Sequence, residues 1–199
     1  MTPTDDPGPA PTVASTWALA GGTDDYDARW KAMEDAGHHP HGEADLIEHF
    51  APRSVMDGGC GTGRVAIELR RRGIDVVGVD VDPVMLAAAQ AKEPTITWVE
   101  SDLATVRLDT HFDVVALPGN VMIFVAPGHE GRVVANLAAH LRPGGLLIAG
   151  FQLRAGKLDL HTYDRLCAAS GLALVERWST WDFAPFESHD YAVSVHRLA

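Results

Sequence analysis

Arg53-Ser54-Val55-Met56-Asp57-Gly58-Gly59-Cys60-Gly61-Thr62-Gly63 is the stretch on which the reading of this chain turns, and Arg64-Val65-Ala66-Ile67-Glu68-Leu69-Arg70 follows it directly. A short apolar run closes on an acid, four glycines fall between Gly58 and Gly63, and a helical pattern then begins. The order is buried strand, glycine-rich turn, helix. Glycines allow positive φ and remove side chains, so the backbone comes close to a ligand while the N–H groups of the helix start point at it. Such a turn suits a nucleotide-type ligand.

Two ligand classes use this geometry. Gly61-Thr62-Gly63-Arg64-Val65-Ala66 matches the G-x-G-x-x-G/A fingerprint of dinucleotide sites, a weak signal alone. The register argues against it: that fingerprint's first glycine leaves the strand directly, whereas Gly58, Gly59 and Cys60 separate Asp57 from Gly61. A carboxylate at the strand end attracts an ammonium and repels a pyrophosphate. Read from the acid, Asp57 to Gly63 resembles the acid-x-G-x-G-x-G first motif of class I S-adenosylmethionine (SAM) dependent methyltransferases, and the methionine moiety of SAM carries an ammonium.

The chain has 199 residues, enough for one domain with a full core and too few for two substantial ones. Residues 17–199 are expected to form that domain. Residues 1–16, rich in Pro, Thr and Asp, read as a flexible tail. A formal charge of −11 gives no general attraction for phosphate backbones or anionic lipid, which argues against nucleic acid and membrane as partners. The start shows no signal-peptide pattern, and the 2 cysteines, Cys60 and Cys167, imply no disulfide framework. The expectation is a cytoplasmic protein with both thiols packed.

From Thr23 to Gly37, Tyr26, Trp30 and Met33 recur at helical spacing, and a second helix runs from about Gly42 to Phe50, so residues 24–50 are expected to form a helical lid. Beyond the glycine turn, strand and helix alternate: a helix from Gly61 to Arg72, a strand from Ile74 to Asp80, a helix capped by Asp82-Pro83, and strands at Ile96–Glu100 and Phe112–Leu117. A helix from about Glu130 to Leu141, a strand at Leu146–Gly150 and a helix at about Leu158–Ser170 follow. Strands Leu172–Trp178 and Tyr191–Arg197, with no helix between them, are expected to pair antiparallel. Arg70, Arg71 and Arg72 read as a solvated helix end. The fold class is α/β, a parallel sheet covered on both faces.

Ligands of open α/β sheets bind at the carboxyl ends of the strands. Asp57, Asp80 and Asp102 stand at or just past three successive strand ends, a far more specific arrangement than one helix-capping acid. The resemblance to class I methyltransferases therefore extends from about Asp24 to the C-terminus and includes Leu141-Arg142-Pro143-Gly144-Gly145-Leu146-Leu147-Ile148, similar to that family's L-x-P-G-G-x-h turn. It implies a doubly wound, seven-stranded, mostly parallel Rossmann-like sheet of order 3-2-1-4-5-7-6 with strand seven antiparallel. It also implies SAM as cofactor, with Asp57 near the methionine amine, Gly58, Gly59, Gly61 and Gly63 forming the turn, Asp80 on the ribose with Val81 beside it, and Asp102 with Leu103 at the adenine.

The acceptor side is less defined. The D/N-P-P-aromatic motif of nucleobase and glutamine methylation is absent, since Leu117-Pro118-Gly119-Asn120 stands there. Asn120 can orient an acceptor or simply form a turn. His38, His39, His41, Glu43 and His49 have poor spacing for a metal, and none is expected; His41 and His38 are instead candidate general bases. Tyr26, Trp30, Trp181, Phe183 and Phe186, with Asn120, are expected to wall the acceptor pocket. The expected activity is methyl transfer to a small molecule. The alternatives are an NAD-dependent oxidoreductase, weakened by the missing Tyr-x-x-x-Lys pair, and a non-catalytic SAM sensor.

Overall fold

The computed structural model describes Ala28, Ala32, Asp35, Ala36, residues 39–187 and residues 190–199. Ala28, Ala32 and Asp35 are helical, and Ala36 N–H donates to the Ala32 carbonyl at 3.1 Å. Tyr26, Trp30, His38 and residues 1–16 lie outside the described residues.

A first helix, α1 (Gly42–His49), precedes β1 (Ser54–Gly58), α2 (Arg64–Arg71), β2 (Asp75–Asp80), α3 (Pro83–Lys92) and β3 (Thr97–Glu100). Then come β4 (Phe112–Leu117), a single turn α4 (Val121–Phe124), α5 (Glu130–Ala138), β5 (Leu141–Gln152), α6 (Leu160–Ala169), β6 (Leu172–Trp178) and β7 (Tyr191–Leu198). The seven strands form one sheet in the order β3-β2-β1-β4-β5-β7-β6. Strands β1 to β5 run parallel to one another, and β7 is antiparallel to both β5 and β6. This is the expected topology, including the terminal antiparallel pair.

The strand pleat divides the core in two. Met56, Val115, Leu117 and Leu147 face a cluster with Val133, Leu137 and Tyr163 of α5 and α6. Val55, Val114, Ala116 and Ile148 face the other cluster, with Leu46 and Ile47 of α1 and Val65 and Leu69 of α2. Because α1 buries Leu46 and Ile47 completely, residues 42–49 are part of the core; most of the rest of the expected lid lies outside the described residues.

Several boundaries differ from expectation for local reasons. The helix after the glycine turn starts at Arg64, not Gly61, because Gly59, Gly61 and Gly63 hold φ of 71°, 53° and 82°, outside the helical region. Strand β5 begins at Leu141 rather than Leu146: Phe112 pairs with Leu141 and Val114 with Leu146, so the intervening residues form a register shift inside the strand. At Gly145 a Cβ would lie 2.9 Å from the Arg142 carbonyl, so no side chain fits in the tightened path. The solvated reading of Arg72 is corrected. Its guanidinium bonds Asp45 at 2.7 Å, Glu48 at 2.8 Å and Glu68 at 2.9 Å, joining α1 to α2.

Candidate functional site

The parallel strands end on one edge of the sheet, and a cavity opens there. Asp57, Gly59, Cys60, Gly61, Asp80, Val81, Asp102 and Leu103 line one wall of it, all on or beside the ends of β1, β2 and β3. The sequence places these residues by local rules: each strand is apolar up to its end, and the acid comes where the chain leaves the sheet. Asp82 caps α3 by accepting from the N–H groups of Val84 and Met85, with Pro83 at the first helical position, so β2 must end at Asp80.

Asp57 is fully buried. Its Oδ2 accepts from the Ala66 N–H at 3.1 Å, while Oδ1 is buried without a hydrogen-bond partner among the described residues. Burial raises its pKa to about 7, against the opposing pull of Arg64 and the Ala66 N–H; Asp80 and Glu43 add to the rise. A buried, unsatisfied carboxylate oxygen facing a cavity is costly unless a ligand brings a donor or a cation to it.

The glycine turn folds back over β2, with the N–H groups of Gly59 and Cys60 donating to the Val79 carbonyl at 2.8 and 3.1 Å. Gly61 N–H donates to Asp80 Oδ2 at 2.7 Å, and Asp82 N–H donates to Asp80 Oδ1 at 2.9 Å. The Val81 N–H is a third backbone donor to this carboxylate. Burial pushes the Asp80 carboxyl up. Nothing lies within 4 Å of the place a Gly61 Cβ would take, so this residue opens onto the cavity. Cys60 is buried, and burial with the charges of Asp57 and Asp80 drives its thiol pKa well up, which leaves it a packed thiol. Asp102 lines the cavity while its Oδ1 accepts from Ala104 N–H at 2.7 Å, holding the turn that presents Leu103.

Gly58 and Gly63 are not among the residues lining the cavity; they pack beneath it. A Cβ at Gly58 would meet Leu117 Cδ2 at 2.8 Å, and one at Gly63 would meet the Trp98 ring at 2.5 Å. They let the turn settle onto the strands below it.

The opposite wall is formed by the stretch after β4: Pro118, Gly119, Val121, Phe124, Val125 and Ala126, then His129 and Val133 at the start of α5. None of these was anticipated. A four-residue helix is too short to show a period, and His129 carries no sequence signal that separates it from the other loop histidines. Arg64, Val65, Met85, Ser101 and Ala104, which complete the lining, were also missed.

Asn120 is corrected to a turn residue. It sits at φ 71°, its Oδ1 accepts from Gln152 N–H at 2.8 Å and its own N–H donates to the Gly150 carbonyl at 3.3 Å, so it stitches the end of β4 to the end of β5. His41 stands at the start of α1 with Nε2 3.9 Å from Glu68 Oε2, and does not line the cavity. His39 pairs with Asp45 at 2.6 Å; among the described residues no group of three His, Cys, Asp or Glu is placed to hold a metal ion.

The aromatic connection after β6 also lies elsewhere. It curls back on itself, Ser179 N–H donating to the Ala184 carbonyl at 2.9 Å, and sits on the start of α1. Trp181 is a core residue: its ring presses on Gly150 and its Nε1 donates to the Tyr191 hydroxyl at 3.0 Å. Phe183 packs edge-on against Trp178 and His49, and the Phe186 ring lies under the Arg177 guanidinium at 5.6 Å. None of the three lines the cavity, because the connection covers α1 rather than the strand ends.

A seven-stranded sheet of this order with a glycine turn and three strand-end acids around one cavity defines the Rossmann-like class I methyltransferase fold. This chain belongs to the SAM-dependent methyltransferases. A family model described as a methyltransferase domain matches residues 55–145. A TehB-like SAM-dependent methyltransferase from Corynebacterium glutamicum is 32% identical, with a TM-score of 0.80, over 88% of this chain and 97% of that one. CalS10, a SAM-bound amino pentose methyltransferase from Micromonospora echinaspora, shares the fold at 19% identity and a TM-score of 0.66, over 88% of this chain and 97% of that one. Among curated relatives, a glycine/sarcosine N-methyltransferase of Parasynechococcus marenigrum is 30% identical over 72% of this chain and 51% of its own length. A cypemycin N-terminal methyltransferase of Streptomyces is 35% identical over 56% and 49%. The chain thus spans about half the length of the curated relatives it matches.

Proposed function

We propose that this protein transfers a methyl group from SAM to a small-molecule acceptor. The observation that carries the reading is the cavity in which the buried, partnerless Oδ1 of Asp57, the open face of Gly61 and the Asp80 carboxylate come together. These groups fit SAM. The Asp57 carboxylate suits the methionine ammonium, and the Asp80 carboxylate, an acceptor at the cavity edge, suits ribose hydroxyls. Val81 and Leu103 offer apolar flanks to an adenine. SAM, when bound, supplies a methyl group on a sulfonium that is already a good leaving group.

The chain then contributes placement. Fixing two reactants in a near-attack geometry is worth roughly 7–11 kcal/mol, and the apolar wall of Val121, Phe124, Val125 and Ala126 excludes water from the acceptor. His129 is the one ionisable side chain among the lining residues of that wall, and we assign it, rather than His41 or His38, as the base for an acceptor that carries a hydroxyl. Small acceptors also accord with a glycine/sarcosine N-methyltransferase and an amino pentose methyltransferase among the similar proteins. The charge of −11 speaks against nucleic acid, and no helix among the described residues is long and apolar enough to cross a membrane. We place the protein in the cytoplasm on the sequence reading above.

Isothermal calorimetry with SAM, and NAD as control, tests the cofactor. A screen for S-adenosylhomocysteine release over pooled metabolites tests turnover. Heat on NAD but not SAM addition overturns the reading in favour of an oxidoreductase, and SAM binding without release from any pool favours a sensor.

A further inference from the structure

The molecule holds one buried ion pair at the cavity that the reading above does not use. Arg64, the first residue of α2, lines the cavity, yet its side chain is only 13% exposed because it reaches away from the strand ends to the start of α1. Its Nη2 donates to Glu43 Oε1 at 2.5 Å and its Nη1 to Glu43 Oε2 at 3.2 Å, a two-pronged pair, and Nη1 also donates to the Pro40 carbonyl. Such a fork fixes direction as well as charge. Glu43 is itself buried.

Two elements distant in sequence meet here. One is the chain entering α1; the other is the first turn of the helix that follows the glycine turn. Arg72 joins the same two helices through Asp45, Glu48 and Glu68, so Arg64 is not needed merely to keep α1 against α2. What Arg64 adds is position: a guanidinium in the cavity wall that also holds Asp57. Asp57 accepts from the Ala66 N–H in the first turn of α2, two residues after Arg64, and shares the cavity lining with Arg64, Asp80 and Cys60, while Glu43 of α1 reaches in on the guanidinium; these are the charged and titratable groups around it. Of these, Arg64 alone is positive.

Resting on the reading of the cavity as a SAM site, we propose that Arg64 is a positioning residue of that site: it ties residues 40–43 to the glycine turn and supplies the positive charge against which the buried Asp57 carboxylate is held ready for the ligand's ammonium. Glu43 sets how much of that charge Asp57 feels. It anchors the guanidinium and, being an anion, offsets part of its field.

The two partners therefore act on Asp57 in opposite senses. Loss of Arg64 makes the Asp57 carboxylate harder to ionise, and loss of the Glu43 charge makes it easier. Because SAM binding needs the carboxylate, affinity falls on the acid side with a midpoint that reports Asp57 in the free protein. The experiment is calorimetric titration of SAM into the full chain from pH 5 to 8, for the natural protein and for Arg64→Met, Arg64→Lys and Glu43→Gln. Arg64→Met is expected to move the midpoint up by about 1 pH unit or more, the size of effect an opposite charge at close range exerts. Glu43→Gln is expected to move it down, and Arg64→Lys to hold it near the natural value while affinity falls at every pH.

A merely structural Arg64 lowers affinity by one factor at every pH in all three variants, and that result overturns the inference. Midpoint shifts in the same direction for Arg64→Met and Glu43→Gln overturn it too. If Arg64→Met does not fold, the direction of the Glu43→Gln shift decides. Failure of the natural protein to bind SAM at any pH rejects the function itself, a different outcome from binding with unmoved midpoints.

Discussion

On one wall of the cavity, Gly59, Gly61, Asp57 and Asp80 offer backbone and carboxylate groups, several of them already committed to fixed partners. On the other, Val121, Phe124, Val125, Ala126 and Val133 offer methyl groups and a ring. The first wall asks for a ligand with a cation and hydroxyl donors at set positions, and a buried acceptor left unmet there costs free energy. Apart from His129, the second asks only for shape. A site divided in this way holds one ligand chemically and the other by exclusion of water. Changes to the two walls should therefore have different signatures.

The largest expected effect comes from the polar wall. Asp80→Ala removes the carboxylate proposed to accept from the ribose and frees the N–H groups of Gly61 and Asp82. Loss of a charge-assisted bond costs about 1.5–3 kcal/mol, so SAM affinity by calorimetry should fall ~10 to ~100-fold in a protein whose circular dichroism is unchanged. Unaltered affinity would remove Asp80 from the site.

Asp57→Asn sharpens the comparison by separating binding from stability. In the folded chain the Asp57 carboxyl is held near 7, above its ordinary value of 3.8. Between those values the folded chain keeps a proton that the unfolded chain has lost, so the contribution of Asp57 to stability falls as pH rises through this window. Asparagine does not titrate. The ligand-free variant should be more stable than the natural protein at pH 8, by roughly 1–3 kcal/mol, with the advantage shrinking towards pH 4, while SAM binding is lost. Thermal unfolding at both pH values checks this. Equal differences at pH 4 and pH 8 would show that the carboxylate carries no burial cost.

The smallest expected effect on SAM belongs to the apolar wall. Phe124→Ala should leave SAM affinity within ~3-fold while the KM of an acceptor identified by the screen rises, since removing uniform binding of one substrate leaves the other alone. A SAM affinity that falls as far as in Asp80→Ala would mean that the two walls do not divide the ligands.

The polar wall was largely legible in the sequence, and the apolar wall was not. Asp57, Gly59, Gly61, Asp80 and Asp102 were placed by local features, a strand's apolar run, glycines that need positive φ and the Asp82-Pro83 cap that fixes where β2 ends; Val81 and Leu103 came with the family resemblance. The strand order came from the family resemblance and the terminal pair from the missing helix between β6 and β7. Trp181 and Arg72 were misread because each is settled by a partner far along the chain: Gly150 and Tyr191 for the first, Asp45 and Glu48 for the second. Arg64 was passed over for the same reason. Nothing local tells a helix-starting arginine that its carboxylate lies before β1.

The packing beneath the glycine turn has an optical consequence. The Trp98 ring lies against both Gly63 and Gly78, its Nε1 donating to the Glu93 carbonyl at 3.0 Å, and the space a Gly78 Cβ would fill is 3.1 Å from the Cys60 sulfur. Trp98, held by its indole N–H and touching the glycine turn with a thiol nearby, stands where a displacement of that turn should alter its emission, with no label added.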